Sequence, residues 1–220
     1  MIIPVPVLMM SGVIALLGIG ALVAQALERK RRAAYEEYSL IRGFRFEAER
    51  PDAERGYQSV FDPFTQGRRH QWGCTISGTR NGMLFTAFEY RWVTGGGKNS
   101  SRHVLSAILW EQEGAQFPKF AIGPEGWFSR LAQRFGMQDI DFPDSIEFSQ
   151  AYRLHGADEP GIRALFTPEK RQFFAATPDQ NVAGGGKSLF WWRSGRLPKP
   201  EEFDEWLERG DQVRRRFFKQ

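Results

Sequence analysis

WGCTISGTRNGMLFTAFEYRWVT, residues 72–94, is the stretch that decides the fold. Two β-prone runs, Trp72–Thr79 and Met83–Thr94, are separated by Arg80-Asn81-Gly82. Asn-Gly accepts positive φ at both central positions of a tight turn, and the twist of such a turn matches antiparallel strands. On the second run Leu84, Phe88, Tyr90 and Trp92 share one face, interrupted by Thr86, as a strand alternating about its axis requires. The spacing predicts a β-hairpin with one apolar face.

Working toward the C-terminus, Gly95-Gly96-Gly97-Lys98-Asn99 makes the next turn, and His103–Glu111 returns with Val104, Ile108 and Trp110 on one face. Lys119–Ile122 forms a short fourth strand ended by Gly123-Pro124, which completes a β-meander. Helical spacing of Trp127, Phe128, Leu131 and Phe135 predicts a helix from Glu125 to Phe135, and Phe148–Leu154 reads as a strand. Two short helices follow, Glu159–Phe166 and Pro168–Phe174, the second with Thr167 as N-cap and Pro168 at its first position. Leu189–Arg193 is an aromatic strand. After Pro198-Lys199-Pro200 comes a final amphipathic helix carrying Phe203, Trp206, Leu207, Val213 and Phe217. Its acidic first turns and basic last turn complement the helix dipole. Toward the N-terminus, Phe44-Arg45-Phe46 alternates as a first strand, and Tyr57, Val60, Phe61 and Phe64 fit one face of a short helix or turn. The fold class is α+β, an antiparallel meander covered by helices. A pleckstrin-homology-like barrel with a terminal helix would show the same order of elements.

The N-terminus reads differently. Ile2–Leu27 carries no charged side chain and is followed by Glu28-Arg29-Lys30-Arg31-Arg32. As a helix it would reach about 39 Å, enough to cross a hydrocarbon core of about 30 Å. Three segments are therefore expected: a transmembrane anchor over 1–27, a basic stalk helix over 28–43 ending at Gly43, and one α+β domain over 44–220. A cleaved signal peptide would place its charge before the apolar run, and a lipoprotein anchor would need a cysteine just after it. The one cysteine is Cys74. The positive-inside rule then puts the N-terminus outside and the domain in the cytoplasm of a bacterium, as a single-pass protein of the inner membrane.

Composition narrows the partner. Nineteen Phe and seven Trp supply a core, and a single cysteine excludes an intramolecular disulfide framework. The net charge is +4, yet residues 28–32 hold four of the 30 basic and one of the 26 acidic side chains, leaving 26 against 25. The basic excess thus sits at Arg29, Lys30, Arg31 and Arg32 and at Arg214, Arg215, Arg216 and Lys219. That distribution suits an anionic lipid surface and not a nucleic-acid groove.

Chemistry-bearing motifs are few. Asn181-Val-Ala-Gly-Gly-Gly186-Lys187-Ser188 approximates a phosphate loop. Such a loop needs a first glycine and a following helix, whereas Asn181 and a strand-like Leu-Phe-Trp-Trp stand there, so a β-turn fits better. His70, His103 and His155 are too far apart in sequence for a paired metal motif, Cys74 reads as a small buried thiol, and Asp139, Asp141, Asp144 and Glu147 form an acidic loop. Trp92, Trp191 and Trp192 read as core. No catalytic residue, metal or cofactor is assigned. The expected function is a non-enzymatic, membrane-tethered module that binds a protein partner or a lipid headgroup. The alternative is a hydrolase or nucleotide-binding enzyme using the 184–188 loop.

Phe148-x3-Tyr152-x-Leu154, then Asp158-Glu159-x3-Arg163-x-Leu165-Phe166-Thr167-Pro168-Glu169, then Gly-Gly-Gly-Lys-Ser-Leu-Phe resembles a pattern in bacterial membrane-anchored proteins of unknown function. The resemblance covers mainly residues 140–195, with the anchor and the Gly78/Glu89-Tyr90 hairpin. It implies a short N-terminal anchor before a cytoplasmic α+β domain, and it brings no functional residues with it.

Overall fold

The structure, a computed structural model, describes residues 5–50, 56–58, 60–124 and 139–218, and of 5–17 the backbone alone. The helix expected over 125–135 lies outside the described residues. Eight strands form one sheet: β1 (Arg45–Glu47), β2 (Arg68–Arg80), β3 (Met83–Thr94), β4 (Ser101–Glu111), β5 (Phe117–Gly123), β6 (Arg153–Gly156), β7 (Asn181–Gly186) and β8 (Ser188–Ser194). Five helices accompany them: α1 (Val5–Arg42), α2 (Ile146–Ala151), α3 (Glu159–Leu165), α4 (Pro168–Ala176) and α5 (Pro200–Phe217).

The Asn81-Gly82 turn forms as its chemistry demands. Both residues have positive φ, 50° and 73°, and Arg80 faces Met83 across the closed end of the hairpin. The meander β2-β3-β4 follows. It then stops, because the sheet order is β1-β2-β3-β4-β8-β7-β5-β6, antiparallel throughout. The expected fourth meander strand, β5, pairs with β6 and β7, and the β7–β8 hairpin fills the place beside β4. The ends, β1 and β6, are not paired with each other, so the sheet is open and not a closed barrel.

Alternation along the strands builds two cores. The helix-covered face holds Ile76, Phe85, Ile108, Trp110, Leu189 and Trp191 against Tyr35 of α1 and Phe203, Leu207, Val213 and Phe217 of α5. The opposite face holds Trp72, Phe88, Tyr90, Trp92, Phe190 and Trp192, covered by Phe61 and Phe64 around a 3-10 turn at Asp62–Thr65. The core reading of Trp191 and Trp192 is correct for both: they enter opposite cores, each 1 % exposed.

Two expectations need correction. Phe148–Leu154 is not one strand: α2 occupies Ile146–Ala151, and the strand begins at Arg153. Phe148 and Tyr152, four apart, satisfy helical spacing as well as alternation, and both rings pack on Phe174 of α4. The second correction concerns the N-terminus. No helix among the described residues is long and apolar enough to cross a membrane. The single-pass anchor, the inner-membrane location and the N-outside topology inferred from it are therefore not supported. The side chains described in the apolar stretch run only from Gly18 to Leu27, about 15 Å of helix against a core of about 30 Å. Beyond them α1 continues without a break through the basic flank, where Tyr35 and Ser39 are buried against the domain.

Helix α5 crosses the sheet closely. A Cβ on Gly210 would lie 2.7 Å from Ile108 Cδ1 and 2.9 Å from Trp191 Cε3. Gly210→Ala should gain about 1 kcal/mol of helix propensity and lose about 1–3 kcal/mol by overpacking. We expect a net loss, read as a Tm lower by about 3 °C in thermal unfolding; a raised Tm would mean that the helix lifts freely.

Candidate binding site

The sequence-derived residues do not gather in one place. Gly186-Lys187 forms a two-residue turn between β7 and β8, with Gly186 at φ 58° and Gly185 facing Ser188. The turn joins strand to strand and presents no helix N-terminus to a phosphate. Lys187 Nζ lies 2.6 Å from Glu113 Oε1, and Ser188 Oγ donates to Glu111 Oε1 at 3.1 Å. The hydrogen bond to Glu113 holds the Lys187 ammonium above its ordinary pKa.

Most of the basic residues are committed internally. Arg31 bonds Glu28 at 3.0 Å and Glu89 at 2.8 Å, and Arg32 reaches Glu49 at 3.1 Å. Arg214 is buried and paired with Asp211, and Arg215 binds Asp211 and Glu208, each at 2.7 Å. Arg216 is exposed with its guanidinium 4.5 Å over Phe173. Arg29 and Lys30 are exposed, and Lys219 lies outside the described residues. His70 Nδ1 is 2.6 Å from Tyr90 Oη, and His103 Nε2 is 2.7 Å from Thr94 Oγ1. Among the described residues no group of three His, Cys, Asp or Glu could hold a metal ion. Burial pushes the Cys74 thiol above its usual pKa, away from nucleophilic use. In the acidic loop Asp144 pairs with Arg171 and Asp139 with Arg153.

Sequence reading missed a polar row on the helix-covered face. Register places Glu89 of β3 opposite Ser106 of β4, and Ser106 opposite Arg193 of β8. Glu89 is fully buried and accepts from Arg31 Nη1 and Arg91 Nε, each at 2.8 Å. The signal was present: Glu89 and Arg91 stand in the same phase as Phe85 and Ala87, charges on a face that is otherwise apolar.

The row ends in a pocket of about 560 Å³, whose lining includes Ser106, Asp179, Asn181, Arg193, Arg196 and Trp206. It sits at the rim of the sheet, where β8 leads into α5. Ser106 and Asn181 are 2 % and 9 % exposed. The Asn181 amide donates through Nδ2 to the Trp192 carbonyl at 3.3 Å, while its Oδ1 is buried without a partner. No carboxylate among the described residues pairs with Arg193, and Arg196 reaches Glu28 Oε2 at 2.9 Å. Trp206 packs 5.3 Å from Trp191 and 5.4 Å from Phe203 and contributes its indole to the pocket wall. Asp179, at φ 63°, brings a carboxylate to the mouth. Unspent donors and acceptors around an aromatic wall suit a neutral polyhydroxy ligand, since each unpaired buried group recovers a hydrogen bond only when the site is filled.

A larger cavity of about 780 Å³ lies at the opposite rim, lined in part by Asn81, Glu111, Glu113, Arg214 and Arg215. Its charges are already paired within the chain. Tyr57 donates to Glu111 at 3.1 Å, and burial together with that carboxylate raises the Tyr57 phenol to about 12.

No known protein family and no curated protein matches this chain. Among solved structures it is similar to the mycobacterial trehalose monomycolate transport factor A, TtfA, with a TM-score of 0.58 and 12 % identity. The match covers 86 % of this chain and 95 % of that one. At that identity the likeness establishes the fold alone.

Two measurements probe the charge clusters. Glu89→Gln strands Arg31 and Arg91, and we expect a loss of about 3–5 kcal/mol in urea unfolding; a change under 1 kcal/mol would show the cluster to be solvated. At Asp211 burial opposes ionisation, but the bonds from Arg214 and Asn81 outweigh it and hold the carboxyl below its usual 3.8. A lowered folded pKa adds stability above the unfolded pKa, and that stability vanishes as pH falls through the folded value. Wild type and Asp211→Asn should therefore differ in Tm at pH 6 and converge below about pH 3; a gap constant with pH would contradict the assignment.

Proposed function

We propose that this chain is a non-enzymatic binding module whose rim pocket takes the saccharide headgroup of an acylated sugar. The observation that carries this reading is the unpartnered, buried Asn181 Oδ1 beside the unpaired Arg193 guanidinium in a pocket walled by Trp206. A sugar hydroxyl donates to the first and accepts from the second, and the indole face takes the apolar side of the ring. Arg193 and Asp179 balance in charge, which suits a neutral headgroup. The fold it shares with a transport factor for trehalose monomycolate agrees with a role in handling such a molecule. The alternative enzymatic reading draws less support, because Lys187 and Ser188 are occupied by Glu113 and Glu111.

Titration calorimetry with trehalose tests the reading. The expected affinity is about millimolar, and Arg193→Ala or Asn181→Ala should weaken it by about tenfold or more. Binding that ignores both substitutions would place the ligand elsewhere.

A further inference from the structure

The pocket opens beside α1. Arg196 at its rim pairs with Glu28, and the residue before Glu28 ends a stripe of large apolar side chains. Ile19, Leu22, Val23 and Leu27 are 58, 66, 53 and 63 % exposed. Their spacing of three, four and eight residues puts them on one side of the helix, while Ala21, Ala24 and Gln25 occupy the other. From Ile19 to Leu27 the stripe is about 12 Å long. A contiguous exposed apolar strip leading to a polar pocket is the shape of a site for an amphiphile.

We infer that this stripe seats the acyl chain of the ligand whose headgroup enters the pocket, the chain leaving past the Arg196–Glu28 pair to lie along α1. The inference rests on the saccharide reading of the pocket. A second copy of the chain is a poorer occupant. Pairing two such helices in parallel would bring the exposed Arg29 and Lys30 of each against their equivalents, and a four-residue stripe is far smaller than the roughly 1,200 Å² of a stable interface. An acyl chain carries no charge and needs no partner beyond apolar contact.

The test uses the full chain and trehalose monoesters with six- and twelve-carbon acyl chains, each below its critical micelle concentration. A chain lying half-buried on the stripe should gain about twofold in affinity per methylene, half the increment of full burial, and so about sixtyfold between the two esters. The exposed triple substitution Leu22→Ser, Val23→Ser, Leu27→Ser should flatten that dependence. Arg193→Ala should weaken both esters by the same factor and leave their ratio intact. Equal affinity of the two esters and of free trehalose would overturn the inference and leave the pocket reading standing. A chain-length dependence that survives the triple substitution would place the chain elsewhere and also overturn it. If neither trehalose nor any ester binds, the pocket reading itself fails. Concentration-dependent self-association that the triple substitution abolishes, without any ester dependence, would assign the stripe to a second copy.

Discussion

Strand β8 is apolar on both faces, and the architecture follows from covering both. Phe190 stacks on Phe61 with ring centroids 4.6 Å apart, while on the other side Trp191 meets Trp206 of α5 at 5.3 Å. A strand of this kind is stable only in the middle of a sheet with a layer on each side. The helix layer is built from α5 and the C-terminal half of α1. The second layer is thin, a 3-10 turn whose two phenylalanines fill what a helix would fill elsewhere. Gly185, against which Val60 packs, lets that turn lie close to the backbone of β7.

Within this frame a buried carboxylate sets the polar end of the helix-covered face. Glu89 has no access to water and is held by Arg31 of α1 and Arg91 of its own strand. Desolvating such a group is costly, and the attraction repays the cost only when the charge is fully bonded. Burial works against the charge on Arg31 as well, but its bonds to Glu28 and Glu89 outweigh burial and raise its pKa. The cluster thereby fixes α1 at one place on the sheet. It also keeps this end of the face from filling with apolar side chains, and the pocket opens where the row Glu89–Ser106–Arg193 meets the rim.

The same bookkeeping of charge explains why the basic flanks are not free patches. Arg31 and Arg32 look like a solvated cluster after an apolar run, yet they turn inward to Glu89 and Glu49. Arg214 and Arg215 look like a basic tail, yet one helical turn back stand Asp211 and Glu208, and the hairpin tip adds Asn81 and Arg80 to the same network. A guanidinium beside a carboxylate at helical spacing is neutralised before any external anion arrives.

By itself the sequence determined the local pieces: the Asn81-Gly82 hairpin, the meander through β4, the paired short helices after Asp158 and the amphipathic α5. Each is encoded by contacts within a few residues, through turn chemistry, caps and periodicity. Tertiary structure alone decided that β8 and not β5 lies beside β4, because pairing between strands some 80 residues apart leaves no periodic trace. It also decided the split of Phe148–Leu154, where one spacing serves two conformations. The pocket was beyond local reading for the same reason. Ser106, Asp179, Asn181, Arg193 and Trp206 come from three strands, a turn and a helix, and only the sheet order brings their unspent hydrogen bonds together.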